Sequence, residues 1–239
     1  MEKNNTTRLN KYLAEQNYAS RRGADKLIEE GLVFINGKRA FLGDQVHEDD
    51  IVTVKGMQAK EHEYYAYYKP RGVVTIGAQG EEKEIKNVTD LSEGIFPLGR
   101  LDKDSEGLLI MTDDGRITDA LLSPTNSHEK EYTVTTDKPV SHQLLMQLSQ
   151  GVRIGHAGVN KNYKTKETKV RRVSRDTFDI ILKEGKNRQI RRMCGAVGFK
   201  VNNLKRFRIM NISLGKLKPN TYRRIQGKEL KEFLEALGK

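Results

Sequence analysis

A charged turn that runs directly into an apolar strand constrains this chain more than any other feature. Residues 99–106, GRLDKDSE, are followed at once by GLLI at 107–110. This pattern predicts a buried sheet with a carboxylate, Asp102, at its mouth, between the cations Arg100 and Lys103. Cations beside a carboxylate keep it ionised and available as a nucleophile.

The remainder of the chain mixes strand and helix signals without strict alternation of the two. Short links between the strands indicate a mostly antiparallel, mixed sheet flanked by helices, which is an α+β fold. The predicted strands are 64–69, 107–112, 130–136, 168–173 and 177–183, and the predicted helices are 115–122, 141–150, 188–197 and 227–237.

The N-terminal segment predicts a small separate unit of two helices and a hairpin. Leu9 and Leu13 recur at helical spacing, and Ser20 is a suitable N-cap for a second helix. Asn36-Gly37 between two short extended runs is a strong signal for a tight hairpin. Residues 57–63 are polar and aperiodic, which indicates a linker. We therefore expect one domain at 7–58 and a larger one at 64–239.

The charge of the chain favours a polyanionic partner. The formal net charge is +11 and the sequence pI is about 9.6. From Lys183 to Arg208 there are nine basic residues and one acidic residue, Glu184. Nucleic acid is the first expectation for such a chain, and a solvated lysine-rich surface explains the charge alone equally well.

Several classes of protein are disfavoured. The one cysteine, Cys194, cannot form an internal disulfide, which fits a reducing cytosol. The sequence has no apolar run near the roughly 20 residues that a membrane span needs. We expect no metal and no cofactor, because no phosphate-binding loop is present and the histidines are scattered. The histidines are His47, His62, His128, His142 and His156.

Two further runs concentrate side chains that could act in chemistry. HEKEYTV carries Lys130 and Tyr132, and residues two apart on a strand share a face. EGKNRQIRRM reads as a glycine turn leading into a helix, where Arg188 shares a face with Arg191 or with Arg192. A core tyrosine and a phosphate-binding basic helix are the alternatives, and pattern alone favours the core tyrosine.

Taken together, these motifs resemble those of a known enzyme family. GRLDKDSEGLL, the K-x-Y of HEKEYTV and EGKNRQIRRM are similar to the signatures of pseudouridine synthases of the RsuA/RluB/RluE/RluF type. RLNKYLAEQNYASRRGADKLIEEGLVFINGK resembles an S4-type RNA-binding domain. The resemblance runs from about residue 7 to residue 226.

The resemblance implies isomerisation of uridine to pseudouridine in ribosomal RNA, with the large-subunit RNA expected and tRNA left open. It makes Asp102 the catalytic carboxylate, Tyr132 the residue that stacks on the base and moves its proton, and Arg191 the ion-pair partner of Asp102. Arg100 would hold or replace the flipped nucleotide. The other residues expected to bind RNA are Lys130, Arg188, Arg192, Arg21, Arg22, Lys26, Lys38, Arg39, Lys205, Arg206 and Arg208.

Two other functions remain open at this point. The chain could be a non-catalytic S4-type RNA-binding or ribosome assembly protein, or an N-glycosidase that releases the base. RNA is the partner in all three cases, and a monomer is the default expectation.

Overall fold

The computed structural model describes residues 6–59, 61–155 and 163–239, and its α+β architecture agrees with the prediction. The N-terminal unit contains two helices and five short strands. These are β1 (Thr7–Arg8), α1 (Leu9–Glu15), α2 (Arg21–Glu29), β2 (Val33–Ile35), β3 (Lys38–Arg39), β4 (Gln45–Val46) and β5 (Val52–Val54).

Local sequence signals account for this small unit. The Ser20 hydroxyl accepts a hydrogen bond from the Gly23 N–H at 3.2 Å and so caps α2. Asn36 and Gly37 both have positive φ, 50° and 76°, which a tight hairpin between β2 and β3 requires. Buried apolar side chains from both helices and the strands form one core, including Leu9, Leu13, Ala24, Ile28 and Val33.

The larger unit contains eleven strands and five α-helices among the described residues, together with a short 3₁₀ helix at Gly115–Ile117. Its elements are β6 (Tyr64–Lys69), α3 (Ile85–Val88), β7 (Phe96–Leu98), β8 (Glu106–Thr112), α4 (Thr118–Leu122), β9 (Lys130–Thr136), α5 (His142–Ser149), β10 (Arg153–Ile154), β11 (Tyr163–Lys164), β12 (Lys169–Arg172), β13 (Thr177–Leu182), α6 (Gln189–Ala196), β14 (Val201–Ile209), β15 (Ile212–Ser213), β16 (Tyr222–Arg224) and α7 (Gly227–Ala236).

A nine-stranded sheet forms the frame of this unit. Its main path runs β12-β13-β9-β14-β8-β6-β16, with β15 paired to β14 and β7 paired to β8. Every pairing within it is antiparallel except that of β14 with β8. The one parallel pairing brings the strand that follows Asp102 beside a C-terminal strand distant in sequence.

Gly107 makes that parallel pairing possible. Its φ is 110°, and a Cβ atom at this position would lie 2.1 Å from the carbonyl oxygen of Arg206. A residue with a side chain would therefore push β8 and β14 apart.

The tyrosine-rich start of the larger unit serves packing. Tyr64, Tyr67 and Tyr68 are buried in the sheet, and Tyr65 is half-buried with its ring at right angles to that of Tyr222. Tyrosine is a good strand former, and these contacts show that the tyrosines at 64–68 pack within the sheet.

The two units meet around the segment predicted as a linker, of which Lys60 lies outside the described residues. The side chain of Asn17 donates to the carbonyl oxygen of Glu61 at 2.9 Å. His62 lies between the Asp113 carboxylate and the carbonyl oxygen of Glu15, at 3.0 and 3.2 Å. In the described part of the chain, no helix is long and apolar enough to cross a membrane.

Candidate active site

A cleft of about 520 Å³ opens on the large sheet. The loop between β7 and β8, strands β9 and β14, and the turn before α6 enclose it. Leu101, Leu182 and Ile190 form an apolar part of its wall. The predicted site residues that it brings together are Arg100, Asp102, Lys130, Tyr132, Arg188 and Arg206.

Asp102 is carried by a loop that is held from several sides. The Thr75 hydroxyl donates to the carbonyl oxygen of Leu101 at 2.7 Å and accepts from the N–H of the same residue at 3.1 Å. The Ser105 N–H donates to the carbonyl oxygen of Asp102 at 3.0 Å and closes a turn. These bonds leave the Asp102 carboxylate partly exposed at the rim of the cleft.

Lys69 lies fully buried beneath this loop. Its ammonium donates to the carbonyl oxygens of Ser105 and Pro70, at 2.9 and 3.0 Å. Burial lowers the pKa of Lys69 to about 8, although the nearby charges of Asp102 and Asp104 act to raise it. Lys69 and Thr75 were not predicted as contributors to the site. A lysine at the end of an otherwise apolar strand was the signal for Lys69, and Thr75 has no comparable signal.

Lys130 and Tyr132 both line the cleft from β9, and the face that they share is the one that their spacing predicted. Tyr132 is the register partner of Arg206 on β14, so these two side chains leave the sheet side by side. Burial lowers the pKa of Lys130 to about 8, and the charge of Arg206 lowers it further. The floor of the cleft is therefore cationic around the tyrosine.

Arg188 is the guanidinium that faces the carboxylate. Its Nη1 atom lies 3.7 Å from Asp102 Oδ2 and 3.9 Å from Asp104 Oδ2. The backbone of Arg188 is left-handed, with φ of 49°, at the N-cap of α6. A non-glycine residue in this region is uncommon, and such strain clusters at functional sites.

The predicted ion pair between Arg191 and Asp102 is not present. Arg191 instead donates to the carbonyl oxygens of Val201 and Asp104, both at 3.0 Å. Burial lowers the pKa of Arg191, and the charge of Arg188 adds to that effect. The reason is geometric: the left-handed residue at the start of α6 turns Arg188 toward the carboxylate, and Arg191 lies one turn further along. Arg191 therefore braces the loop that carries Asp102.

The basic run on β14 also differs from the expectation of three phosphate contacts. Arg206 is 4% exposed, and its Nε donates to the carbonyl oxygen of Leu108 at 2.8 Å, so it cannot reach a phosphate on the surface. Arg208 forms ion pairs with Glu129 and Glu131, at 3.1 and 2.6 Å.

Lys205 lies between these two arginines in sequence and, by strand alternation, on the face of β14 opposite to that of Arg206. Its ammonium lies 5.1 Å from the centre of the Tyr68 ring. Arg192 on α6 is half-buried, and its Nη1 donates to the carbonyl oxygen of Asn187 at 3.1 Å.

The basic residues predicted on the N-terminal unit are all at its surface. Arg39 donates to the carbonyl oxygen of Glu29 and lies over the ring of Phe41, which is itself 64% exposed. The exposed cations are Arg21, Arg22 and Lys26 on α2, and Lys38 and Arg39 on β3.

The fold and the cleft together define a class of protein: a small N-terminal unit with exposed cations on α2 and β3 precedes a mixed sheet, and the cleft on that sheet contains both acidic and basic side chains. Comparison with known proteins identifies the class further. Residues 63–196 match the family model described as RNA pseudouridylate synthase, and residues 7–52 match the S4 domain. The chain belongs to the RNA pseudouridine synthase family.

Individual relatives cover nearly the whole chain. Dual-specificity RNA pseudouridine synthase RluF of Escherichia coli K12 is 41% identical over 97% of this chain and 80% of that protein. Ribosomal large subunit pseudouridine synthase B of Bacillus subtilis is 35% identical over 95% of each chain. A crystal structure of a pseudouridylate synthase aligns with a TM-score of 0.67 and 28% identity over 96% of this chain and 99% of that one.

Proposed function

We propose that this protein isomerises a uridine of ribosomal RNA, in the large subunit, to pseudouridine, with Asp102 as the catalytic carboxylate. One observation carries the proposal: in a member of this family, a single cleft contains Asp102, Tyr132 and Arg188. Neither a metal nor a cofactor is needed for this chemistry.

The reaction requires cleavage of the bond between the base and the ribose, rotation of the base, and reattachment through its carbon five. A base inside folded RNA must first leave the stack, at a cost of roughly a few kcal/mol. Arg100, exposed at the rim of the cleft, is placed to hold the extruded nucleotide or to fill the vacated space.

Within the cleft, each group has a distinct task in this proposal. Asp102 attacks the ribose or removes a ribose proton, and the Arg188 guanidinium orients it. Tyr132 stacks on the base and assists removal of the proton from carbon five. Leu101 and Ile190 exclude water, which keeps the detached base from being lost.

The N-terminal unit supplies affinity in this proposal. We assign RNA binding to a domain at 7–58 and catalysis to a domain at 64–239. The exposed cations Arg21, Arg22 and Lys26 on α2 suit contacts to phosphates, which supply most of the sequence-independent affinity for nucleic acid. The single cysteine, Cys194, is buried and burial raises its pKa to about 12, so the proposal gives its thiol no role. A chain with one cysteine can form no internal disulfide, which supports action in a reducing cytoplasm.

The test uses ribosomal RNA labelled with tritium at carbon five of uridine. The isomerase should release tritium to water while the base stays attached, and nucleoside analysis should detect pseudouridine. Asp102→Asn keeps the size of the side chain, and it should abolish release while changing the free energy of RNA binding by less than about 1 kcal/mol.

The same assay separates the alternative functions. An N-glycosidase would leave abasic sites, and a non-catalytic RNA-binding protein would bind the RNA without releasing tritium. An Asp102→Asn protein that still turns over would remove Asp102 from its catalytic role.

A further inference from the structure

Arg206 is a buried cation that has an N–H donor without an acceptor. Only 4% of the residue is exposed, and its Nε atom is occupied by the carbonyl oxygen of Leu108. Its Nη2 atom is buried and has no hydrogen-bond partner among the described residues. The residue also lines the cleft. A buried guanidinium N–H without an acceptor is rare in folded proteins, and it requires an explanation.

Lys130 is a second cation of the same cleft, and its side chain is half-buried. It lies two residues before Tyr132 on β9, and the charge of Arg206 acts on it directly. Within the described residues, neither Lys130 nor Arg206 forms an ion pair with a carboxylate. The one buried carboxylate on the wall, Glu184, is held by the side chains of Tyr163 and Gln189.

A buried cation, Arg206, beside a half-buried one, Lys130, is costly for the empty protein when neither has a counter-charge. Removing charged groups from water carries a penalty of several kcal/mol per ion unless an opposite charge compensates it. Proteins keep such groups where a ligand or a transition state supplies the missing charge. The floor of the cleft is therefore built for an electron-rich group that arrives with the substrate.

The position of the pair decides which part of the nucleotide it meets. Phosphates stay at the rim, where exposed cations such as Arg100, Lys183 and Arg188 surround the opening. Arg206 is the register partner of Tyr132, so whatever stacks on the tyrosine ring meets the guanidinium beside it. In the proposed function that group is the flipped base.

We propose that Arg206 and Lys130 are catalytic residues that bind the carbonyl oxygens of the uracil base and stabilise the negative charge it carries after detachment. This inference rests on the proposed function. When the bond between C1′ and N1 breaks, its electron pair leaves with the base, and the charge of minus one spreads over N1 and the two carbonyl oxygens.

Asp102 compensates the ribose for the electron pair that C1′ loses with the base. It either supplies the electron pair of a new bond at C1′ or accepts a ribose proton. In reattachment, carbon five of the base forms the new bond to C1′ while Asp102 either leaves C1′ with its electron pair or returns the ribose proton that it accepted. The proton on carbon five is then lost to water with the assistance of Tyr132, which restores the aromatic base and leaves Asp102 ionised. The two cations hold the base anion between these events and keep it from diffusing away.

The test compares two leaving groups under single-turnover conditions with saturating RNA. Fluorine at carbon five withdraws electrons, so the base of 5-fluorouridine departs more easily and depends less on cations. Arg206→Met should slow loss of the target uridine by about 100-fold, as removal of a single oxyanion donor does elsewhere. For 5-fluorouridine at that position, the factor by which the same variant slows loss should be at least about tenfold smaller than for uridine. The reason is that the better leaving group needs less stabilisation.

Two further variants separate charge from structure. Arg206→Lys keeps the charge but loses the guanidinium contact with Leu108, and it should retain most of the rate. Arg223→Met is the control, because Arg223 is also a partly buried arginine of the sheet and is neutralised by Glu229 at 2.6 Å. It should slow both substrates equally or not at all. If Arg206→Met does not fold, Lys130→Met is used in the same comparison.

Equal slowing of both substrates, together with weaker RNA binding, would make Arg206 a phosphate contact and would overturn the inference. Equal loss in Arg206→Lys and Arg206→Met would make its role structural and would overturn it as well. A wild-type protein that forms no pseudouridine would instead refute the proposed function, so the two failures are distinguishable.

Discussion

The Nη1 atom of Arg188 lies 3.7 Å from Oδ2 of Asp102, and this ion pair joins the start of α6 to the loop before β8. The Arg188 side chain is 44% exposed and that of Asp102 is 28% exposed, so solvent screens the attraction. Exposed pairs contribute little to stability. The pair therefore matters for the orientation of the carboxylate, and the left-handed backbone of Arg188 fits such a functional role.

Removal of the Arg188 charge should lower turnover without destabilising the fold. Asparagine tolerates the left-handed conformation, so Arg188→Asn removes the guanidinium while keeping the backbone. We expect kcat to fall by about 10- to 100-fold, because the carboxylate loses its orienting partner. Pseudouridine formation at saturating RNA measures the effect. An unchanged kcat would show that the ion pair is incidental, and Arg188→Lys should restore part of the loss.

Arg191 should behave differently, because it binds backbone oxygens rather than the carboxylate. Arg191→Lys loses the paired contacts with the carbonyl oxygens of Val201 and Asp104. We expect a lower melting temperature together with a lower kcat, since a guanidinium and an ammonium are not equivalent at such a site. Thermal unfolding and turnover are measured on the same samples. A loss of kcat with an unchanged melting temperature would contradict the bracing role.

Gly107→Ala should destabilise the large sheet. The added Cβ would lie 2.1 Å from the carbonyl oxygen of Arg206, and the φ of 110° is unfavourable for alanine. We expect the free energy of unfolding to fall by more than about 2 kcal/mol. Denaturant unfolding measures it, and Gly195→Ala on α6 is the matched control, because a Cβ there meets open space. Equal stability of the two variants would contradict the close approach.

The contact between the two units should weaken as the pH rises. The two ring nitrogens of His62 face the Asp113 carboxylate and the carbonyl oxygen of Glu15, and both groups only accept hydrogen bonds. Burial lowers the pKa of His62, but the hydrogen bond to Asp113 and the charge of Asp114 outweigh it, against a smaller opposing effect of Arg116. The net pKa lies above 6.5, so the doubly protonated ring is favoured in the folded protein.

A raised pKa in the folded state stabilises the protein fully below pH 6.5, and the contribution is lost as the pH rises through the folded-state pKa. Burial raises the pKa values of Asp113 and Asp114, but their hydrogen bonds outweigh it and lower them, so both carboxylates stay ionised across this range. The difference in melting temperature between wild type and His62→Asn should be largest below pH 6.5 and should shrink as the pH rises above it through the raised pKa of His62. A difference that is constant with pH would rule out this role.

The basic face of α2 should supply RNA affinity rather than catalysis. The double variant Arg21→Ala, Arg22→Ala should weaken binding and reduce the slope of log affinity against log salt by about 2, one unit for each lost phosphate contact. Filter binding across a salt series measures the slope. The double variant Lys228→Ala, Lys231→Ala on α7 removes two cations that are also exposed, and it should leave the slope unchanged.

Patterns with a local physical cause were predicted well. The bounds of the strands at 64–69 and 130–136 agree with the structure, because alternation and β-branched or aromatic residues mark them. The shared face of Lys130 and Tyr132 follows from the period of a strand. Some of the shortest elements, such as α3 and β10, were not predicted, since two to four residues without a turn signal beside them carry no periodic pattern.

The sequence by itself determined the α+β class, the carboxylate at the mouth of a sheet, the lysine and tyrosine of β9, and the family. Each of these features can be inferred from residues that are close together in the sequence, because local patterns and motifs carry the signal. Only the tertiary structure decided that Arg188 rather than Arg191 faces Asp102, and that Arg206 lies inside the cleft. Both depend on how distant segments meet: a left-handed residue sets the rotation of α6, and the parallel pairing of β8 with β14 buries a side chain that a basic run suggested was exposed.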